Sequence, residues 1–519
     1  MLLSPQSLSF LFIGTAFKLA AGSSDAAGHP YLEWRSSASS ASCSVTCEKL
    51  ATKFPDQVNL GATNGTDYVA SREGFWSTIQ GDVSPSCFFR PLDATEVSVA
   101  LKDVQRTGCQ FAVKSGGHYS YTASTIEGGL VIDLIRLNGI TLSEDNSSAI
   151  VEPGNTWAST YESLQKSGVT IPGGRMFGVG VGGLTLGGGV SWLSNRYGWT
   201  CDNVIEFEIV LASGEIVTAS TTSNPDLYWA LRGGGSNFGV VTKFKFNTFQ
   251  QEKMWYAKLR YNATENNTAN AAFADWGTVQ SPKDLSNAAV LSWNAQANGT
   301  PIGVAILVHQ KTFDNTTHPP VVDKFYDSKP SAVEPTNVFH ADIAENLLFP
   351  ASVLRSSLWT TSFVLDADLL QVVFEIWNEE ASALASISIQ QIQIQAITKS
   401  QLELMQRNGG NTHGLGGQPR PLGFVNLWSR WQNAKDDDAI YRAQQRMEER
   451  INKVADEMGL ASGYKYTNYA SQFQDPFAGY GQDNKDRLRS ISQKYDPTGV
   501  FQELSPGGFK VTKGAPQIL

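Results

Sequence analysis

The glycine-rich stretches between residues 114 and 189 constrain this chain more than any other feature of its sequence. In Lys114-Ser-Gly-Gly-His-Tyr-Ser-Tyr121, a histidine directly follows two glycines. Glycine permits positive φ angles and lets the backbone approach a ligand closely. Successive backbone N–H groups in such a turn form a concavity that binds anions. The loop therefore predicts a phosphate or cofactor site with His118 at its rim, although alone it also fits a tight turn with an incidental histidine.

Three further motifs follow the histidine loop and give it a context. They are Pro172-Gly-Gly-Arg-Met-Phe-Gly-Val-Gly-Val-Gly-Gly-Leu-Thr-Leu-Gly-Gly-Gly189, Arg196–Val204 and Asp226–Val241. Tyr466-Thr-Asn-Tyr469 and Tyr495-Asp-Pro497 lie nearer the end. Together these motifs resemble the FAD-linked oxidases of the berberine bridge enzyme-like group, in the vanillyl-alcohol oxidase superfamily. The likeness is to the fungal secreted type, with a PCMH-type FAD-binding domain. The resemblance implies FAD as the cofactor.

The resemblance also implies how the flavin is held. The loop histidine carries the flavin covalently in that family, which points to a link through His118. Members with a doubly linked flavin have a cysteine where this chain has Met176, so one covalent bond is expected, or none. A small residue at Val179 implies access for oxygen. The resemblance implies cofactor contacts at Lys114, Ser115, Gly116, Gly117, His118, Tyr119, Gly178, Val179, Gly182, Gly183, Asp202, Gly239, Val241, Tyr466 and Asn468.

A Rossmann site is a competing interpretation, because Gly178-Val-Gly-Val-Gly-Gly183 satisfies the pattern G-x-G-x-x-G. That fingerprint needs a preceding strand, a following helix and an acidic residue about twenty positions on. Asp202 lies near the right offset, but Pro-Gly-Gly-Arg precedes the motif and more glycine follows it. We therefore expect an extended glycine loop lying along the flavin and its pyrophosphate.

Hydrophobic patterns predict an α+β fold. A helix is expected from Asp93, which can cap it, to Gly108, followed by strands at 109–113 and 130–134 and a helix at 156–168. A hairpin at 204–219 and a strand at 240–246 complete this half. Residues 255–460 show strands at 289–293, 302–309, 386–397 and 425–431. An amphipathic helix at 438–459 has Ile440, Met447, Ile451, Val454 and Met458 on one face. This order suggests an antiparallel sheet with helices on one face.

The predicted domain organisation follows from these patterns and the resemblance. Residues 1–21 read as a signal peptide, and 22–254 form a FAD-binding domain whose PCMH-type core covers about 82–254. Residues 255–459 form an inserted substrate-binding domain of antiparallel sheet and helices. Residues 460–519 return to the FAD-binding domain, which is therefore discontinuous.

Catalysis at a flavin needs a base that takes a proton from the substrate while its C–H bond gives up a hydride. Tyr469 is the first candidate, because its motif matches a tyrosine that lies at the flavin in the family. Tyr197 and Tyr121 come next, and each of the three could instead be a packed core aromatic. Period-two alternation puts Asn426, Trp428 and Arg430 on one face of a strand, where they face either the substrate or solvent.

The function predicted from these features is a secreted FAD-dependent oxidase. It would take a hydride from an alcohol, amine or activated C–H of a small secondary metabolite and pass the electrons to O₂. The alternatives are a carbohydrate oxidase and a flavoprotein whose pocket shapes a substrate for cyclisation. A net charge of −9 argues against a nucleic-acid partner. The histidines show no metal-ligand spacing, so no metal is expected, and we expect a monomer without a membrane span.

Export is predicted from three features. Leu8 to Phe17 is an apolar segment too short to span a bilayer, and the small residues at 20–22 that follow it suggest a cleavage site. A cytosolic N-terminus is the alternative. Four cysteines lie in the first quarter of the chain, and we favour joining one of Cys43 and Cys47 to Cys87 and the other to Cys109. Cys201 is expected to be a buried free thiol. Glycosylation sequons occur at Asn64, Asn146, Asn262, Asn266, Asn298 and Asn315.

Overall fold

A computed structural model of the protein describes residues 40–296, 299–314, 316–346, 354–516 and 519. The signal segment and the sequons at Asn298 and Asn315 lie outside these residues. The strands are β1 (Val58–Leu60), β2 (Cys87–Phe89), β3 (Phe111–Lys114), β4 (Leu130–Asp133), β5 (Ile140–Leu142), β6 (Ser148–Val151), β7 (Val169–Thr170), β8 (Val204–Val210), β9 (Ile216–Ser220), β10 (Val240–Asn247), β11 (Phe249–Gln250), β12 (Met254–Tyr261), β13 (Asn287–Asn294), β14 (Ile302–His309), β15 (Ala332–Val338), β16 (Arg355–Val364), β17 (Ser388–Ile397) and β18 (Leu422–Trp431). The helices are α1 (Ser40–Lys53), α2 (Thr66–Glu73), α3 (Thr78–Gly81), α4 (Ala94–Thr107), α5 (Trp157–Gln165), α6 (Val181–Leu186), α7 (Ser194–Tyr197), α8 (Pro225–Leu231), α9 (Asn266–Asp275), α10 (Asp323–Asp327), α11 (His340–Asn346), α12 (Ala367–Ala383), α13 (Lys399–Leu404), α14 (Asp437–Glu457) and α15 (Gln482–Tyr495).

Two larger sheets and the two-stranded sheet of β7 and β11 form the first half of the chain, up to residue 250. The first has the strand order β1-β2-β4-β3, with β4 parallel to both β2 and β3. The second is antiparallel and has the order β5-β6-β10-β8-β9. The carboxyl ends of parallel strands meet at one edge of a sheet, and Lys114 pairs with Asp133 there. The histidine loop leaves the sheet at this edge.

Helix α4 connects β2 to β3 and follows the predicted capping closely. The Asp93 carboxylate accepts a hydrogen bond from the Glu96 N–H at 2.9 Å, and Gly108 ends the helix with a φ of 71°. Such a cap stabilises a helix by about 1 kcal/mol. The stripe of Val97, Leu101 and Val104 is fully buried in the core beneath the first sheet. Sequence and structure therefore agree here.

Two disulfides fasten α1 to this sheet. Cys43 pairs with Cys109 and Cys47 with Cys87, so each bridge joins one α1 cysteine to one sheet cysteine, as predicted. Cys201 is a buried free thiol. Burial raises the pKa of this thiol well above its usual value, which makes it unreactive.

The middle of the chain forms a seven-stranded antiparallel sheet in the order β15-β12-β14-β13-β17-β18-β16. Helices α12 and α14 pack together, and α14 lies against β16. Helix α14 buries Ile440, Met447 and Ile451 as predicted. The prediction for Met458 is wrong: it lies just past the helix end and is 41% exposed.

The residues after 460 return to the first half of the chain. The Phe501 ring contacts that of Phe111 at 5.8 Å, and the Asn237 side-chain N–H donates to the Phe509 carbonyl at 3.1 Å. This arrangement confirms the α+β class with an inserted antiparallel sheet. Among the helices of the described ranges, none combines the length and the apolar character that crossing a membrane requires.

Candidate functional site

The histidine loop and the second glycine stretch touch through their backbones. A Cβ added at Gly116 would lie 2.4 Å from the Gly180 nitrogen, so this approach requires glycine. The Ser115 hydroxyl donates to the Pro153 carbonyl at 2.5 Å and accepts from the Gly182 N–H at 3.2 Å. Ser115 and the two glycines therefore hold the stretches together as one surface.

This surface has room and donors for a phosphate-bearing cofactor. Within the described part of the chain, the N–H groups of Gly116 and Gly117 donate no hydrogen bond to the protein. A Cβ at Gly183 would meet nothing within 4 Å, and one at Gly178 would meet only the His118 ring, at 3.7 Å. Free N–H groups beside open space suit phosphate oxygens. The residues present thus fit the pyrophosphate of FAD.

The second glycine stretch is not wholly extended, and the prediction of an extended loop is wrong beyond Gly180. That residue begins the six-residue helix α6, in which Val181 and Leu186 are buried. Apolar side chains at helical spacing override the glycines here. Residues 171–179 form turns and bends rather than a strand, so the strand that a Rossmann fingerprint needs is missing.

His118 lies in an aromatic wall of the site. Its ring stacks on Trp76, with centroids 4.3 Å apart and planes at 15°. Burial lowers the pKa of His118 to about 4, so its imidazole is neutral at physiological pH and keeps a nucleophilic lone pair. Trp76 also tilts against Trp428 at 5.8 Å. Sequence reasoning missed Trp76, which stands outside every motif.

The Tyr469 phenol oxygen beside this wall accepts two side-chain hydrogen bonds. The Arg175 guanidinium donates to it at 2.9 Å, and the Gln395 side-chain N–H donates at 3.1 Å. Arg175 also donates to the Gln395 oxygen at 2.5 Å and lies over the Trp192 ring. The Tyr469 ring packs with the apolar cluster that includes Trp428. No sequence motif pointed to Arg175 or Gln395, although Arg175 is the only cation in the second glycine stretch.

Tyr466 and Asn468 fix the turn that follows α6. The Tyr466 hydroxyl accepts from the N–H groups of Gly189 and Val190 at 3.2 and 3.1 Å. The Asn468 amide donates to that hydroxyl and to the Leu184 carbonyl, both at 3.0 Å. Burial raises the pKa of Tyr466. These two residues support the glycine stretch from the returning chain.

The other predicted tyrosines are packed aromatics. Tyr121 is 3% exposed, meets the Tyr119 ring at 4.7 Å, and has a pKa raised well above its usual value by burial. Tyr119 donates from its hydroxyl to the Thr467 carbonyl at 2.8 Å. Tyr197 stacks on Phe249 with centroids 3.7 Å apart. Tyr121 is therefore a core residue, whereas Tyr197 is half-buried, as Tyr469 is.

Four predicted cofactor residues have protein partners or pack in the sheet. The Lys114 ammonium pairs with Asp133 at 3.2 Å, and Lys114 is buried. The Asp202 carboxylate accepts from the Trp199 N–H and the Asn411 side chain, both at 2.9 Å. Gly239 and Val241 lie buried against β8. These contacts support the fold around the loops.

The predicted substrate face lies on β18. Asn426 is 3% exposed and donates to the Gln393 oxygen at 3.3 Å. Trp428 donates from its indole to the Ser356 hydroxyl at 2.8 Å, and the Arg430 guanidinium lies 4.5 Å over the Trp428 ring. Because Trp428 contacts Trp76, this face points towards the site and not to solvent.

The described residues contain no group of three or more His, Cys, Asp or Glu side chains that could hold a metal. Of the sequons they contain, Asn64, Asn146 and Asn262 are exposed, whereas Asn266 is half-buried. The Asn266 amide donates to the Ala263 carbonyl. An exposed asparagine is the better acceptor for a glycan.

Comparisons with known proteins agree with this site. The family described as "FAD binding domain" matches residues 85–220. "FAD-dependent monooxygenase tpcD" of Cochliobolus heterostrophus is 34% identical over 502 residues, covering 91% of this chain and 94% of that protein. "FAD-dependent monooxygenase FUP4" of Fusarium proliferatum is 35% identical, covering 84% and 87%.

Solved structures share the fold. BBE-like 1 of Physcomitrella patens superposes with a TM-score of 0.71 at 21% identity, covering 88% of this chain and 98% of its own. Xylooligosaccharide oxidase from Myceliophthora thermophila C1 has a TM-score of 0.71 at 24% identity, covering 89% and 98%. The sequence and fold likenesses together support the cofactor that the glycine surface fits. The protein belongs to the same family of FAD-dependent oxidoreductases as these fungal relatives, and its fold is that of the berberine bridge enzyme-like structures.

Proposed function

We propose that the protein is an oxidase that takes a hydride from an alcohol, amine or activated C–H of a small secondary metabolite, with O₂ as the electron acceptor. The Tyr469 oxygen, held by Arg175 and Gln395 beside the His118–Trp76 stack, carries the proposal. FAD supplies a hydride acceptor when it is bound. Tyr469 takes the substrate proton, because Arg175 and Gln395 both donate to its oxygen and hold it in one position.

The same observations support a covalent flavin link through His118. Its neutral ring can act as a nucleophile, and stacking on Trp76 holds it in one orientation. Met176 supplies no thiol for a second link. Denatured protein should therefore stay yellow, with flavin on the peptide that contains His118, and His118→Ala should release its flavin on denaturation. Quantitative release of flavin from the wild type by acid would contradict the link.

Relatives named monooxygenases make oxygen insertion a second candidate. An oxidase converts O₂ to hydrogen peroxide and leaves the product two hydrogens lighter. A monooxygenase places one oxygen atom of O₂ in the product and reduces the other to water, with two electrons from a reductant or from the substrate itself. Turnover under ¹⁸O₂ separates the two: we expect stoichiometric peroxide and no ¹⁸O in the product, and a product heavier by one ¹⁸O atom would decide for the monooxygenase.

The substrate class distinguishes the proposed metabolite oxidase from two alternatives. Solved relatives in fold are named as chitooligosaccharide and xylooligosaccharide oxidases, so a carbohydrate oxidase is the alternative. Berberine bridge enzyme is another relative in fold, and a pocket that shapes a substrate for cyclisation is a third option. Anaerobic mixing with each substrate class, followed by flavin absorbance, shows which class reduces the cofactor.

We further infer that the chain is exported and acts as a monomer, with the domain limits given by the sequence. Disulfides persist in oxidising compartments and are rare in the cytosol, and two of them join α1 to the first sheet. Expression in a secreting host should place the protein in the medium with glycans on the exposed sequons. Retention in the cytosol with reduced cysteines would contradict export.

A further inference from the structure

A chain of side-chain amides crosses three strands of the seven-stranded sheet. Gln391 on β17 donates to the Asn294 oxygen on β13 at 2.5 Å. Gln393 donates to the Gln391 oxygen at 2.9 Å, and Asn426 on β18 donates to the Gln393 oxygen at 3.3 Å. Each amide thus gives its N–H to the previous one. We name these four residues the amide relay.

The direction of the relay is set at its far end. The Asn294 side-chain N–H donates to the Ile302 backbone carbonyl at 3.5 Å, and a carbonyl can only accept. Asn294 must therefore present its oxygen to Gln391, and the same direction passes along to Asn426. The Asn426 Oδ1 atom is left with no hydrogen-bond partner among the described residues, although Asn426 is only 3% exposed. A buried acceptor without a donor costs free energy.

The Asn426 Oδ1 atom lies on the same face of β18 as Trp428, which contacts Trp76 in the aromatic wall beside Tyr469. Asn426 stands between Phe424 and Trp428 on the same face of β18, because alternate residues of a strand share a face. The Phe424 ring tilts against that of Tyr469 at 6.1 Å, and Trp428 meets Trp76 at 5.8 Å. Asn426 is therefore flanked on its face of β18 by two residues, Phe424 and Trp428, whose rings pack with Tyr469 and Trp76.

We propose that Asn426 Oδ1 is a fixed acceptor that selects a flat aromatic ligand carrying a hydroxyl or N–H donor. The proposal rests on the proposed function, because it names the substrate class of the same site. A sugar presents several hydroxyls that each need a partner, whereas the remaining amides of the relay are bonded to one another. The single free acceptor, Asn426 Oδ1, therefore suits a ligand that is a flat apolar ring system with one hydrogen-bond donor.

The test uses 2-naphthol and 2-methoxynaphthalene, in which a methyl group replaces the hydroxyl proton, so that only the naphthol can donate a hydrogen bond. Their binding to the oxidised holoenzyme is followed through the flavin absorbance. In the wild type, 2-naphthol should bind about 10-fold more tightly, the ratio expected for a buried hydrogen bond with no partner in the ether complex. Asn426→Leu should abolish that ratio. Gln391→Leu should lower the ratio although residue 391 does not contact the ligand, because without Gln391 the side-chain amides of Gln393 and Asn426 are free to flip by 180°.

Gln390→Leu is the matched control. Gln390 is adjacent on β17 but faces the other side of the sheet, where its oxygen accepts from Ser429. This variant should keep the wild-type ratio, and flavin content reports that each variant is folded. Equal binding of the two naphthalenes to the wild type, or an unchanged ratio in Gln391→Leu, would overturn the proposal. Binding of xylobiose without binding of either naphthalene would also overturn the proposal. If xylobiose then reduced the flavin, the proposed oxidase function would still hold, with a sugar as its substrate.

Discussion

At the scale of single residues, the Tyr469 hydroxyl is set apart from the other tyrosines by its partners. Arg175 and Gln395 both donate to its oxygen, whereas the Tyr121 oxygen has no hydrogen-bond partner among the described residues and Tyr197 stacks on Phe249. Tyr469→Phe keeps the ring and deletes the oxygen. Anaerobic flavin reduction should slow by about 10²–10⁴, the range for a lost general base, with flavin content unchanged. Tyr197→Phe is the control and should reduce at the wild-type rate; the reverse pattern would move the base to Tyr197.

At the scale of elements, helix α1 depends on its two bridges. It carries Cys43 and Cys47, whose partners Cys109 and Cys87 lie beside and in the first sheet. Replacing Cys47 and Cys87 together by alanine should lower the free energy of unfolding by roughly 2–5 kcal/mol, as measured by denaturant titration. Cys201→Ala is the control without a bridge. Denatured, unreduced wild type should expose one reactive thiol per chain, and a second thiol would contradict the pairing.

The sequence predicted those elements whose local signals agree with their environment. The capped helix α4, the hairpin of β8 and β9 and the strands at 302–309 and 388–397 appear near their expected positions. Helix α6 was missed because glycine frequency outweighed the apolar spacing around Val181. Arg175 and Trp76 were missed for a different reason: they reach the site only through tertiary contacts, which no local pattern records.

At the scale of the whole molecule, buried histidines make stability depend on pH. Burial lowers the pKa of His340 and of His413 to about 3. The unfolded chain therefore binds more protons than the folded one between about pH 3 and 6.5. The contribution of these histidines to the free energy of unfolding should be complete above pH 6.5 and should decrease as the pH falls towards 3. His340→Phe keeps a ring that can stack on Tyr161. The slope of the unfolding free energy against pH should then decrease by the equivalent of about one proton. An unchanged slope would mean that other groups take up the protons.

The return of the chain to its first half also has a consequence for synthesis. The turn at Gly189 and Val190 takes its support from Tyr466, and Asn237 takes a partner from Phe509. Because Tyr466 and Phe509 follow every strand of the seven-stranded sheet, the ribosome completes that sheet before it adds the residues that support the surface that fits FAD. Cofactor loading comes late, and a message cut short after residue 460 yields a chain that lacks them. We therefore expect tightly bound flavin only on chains whose translation has passed Phe509.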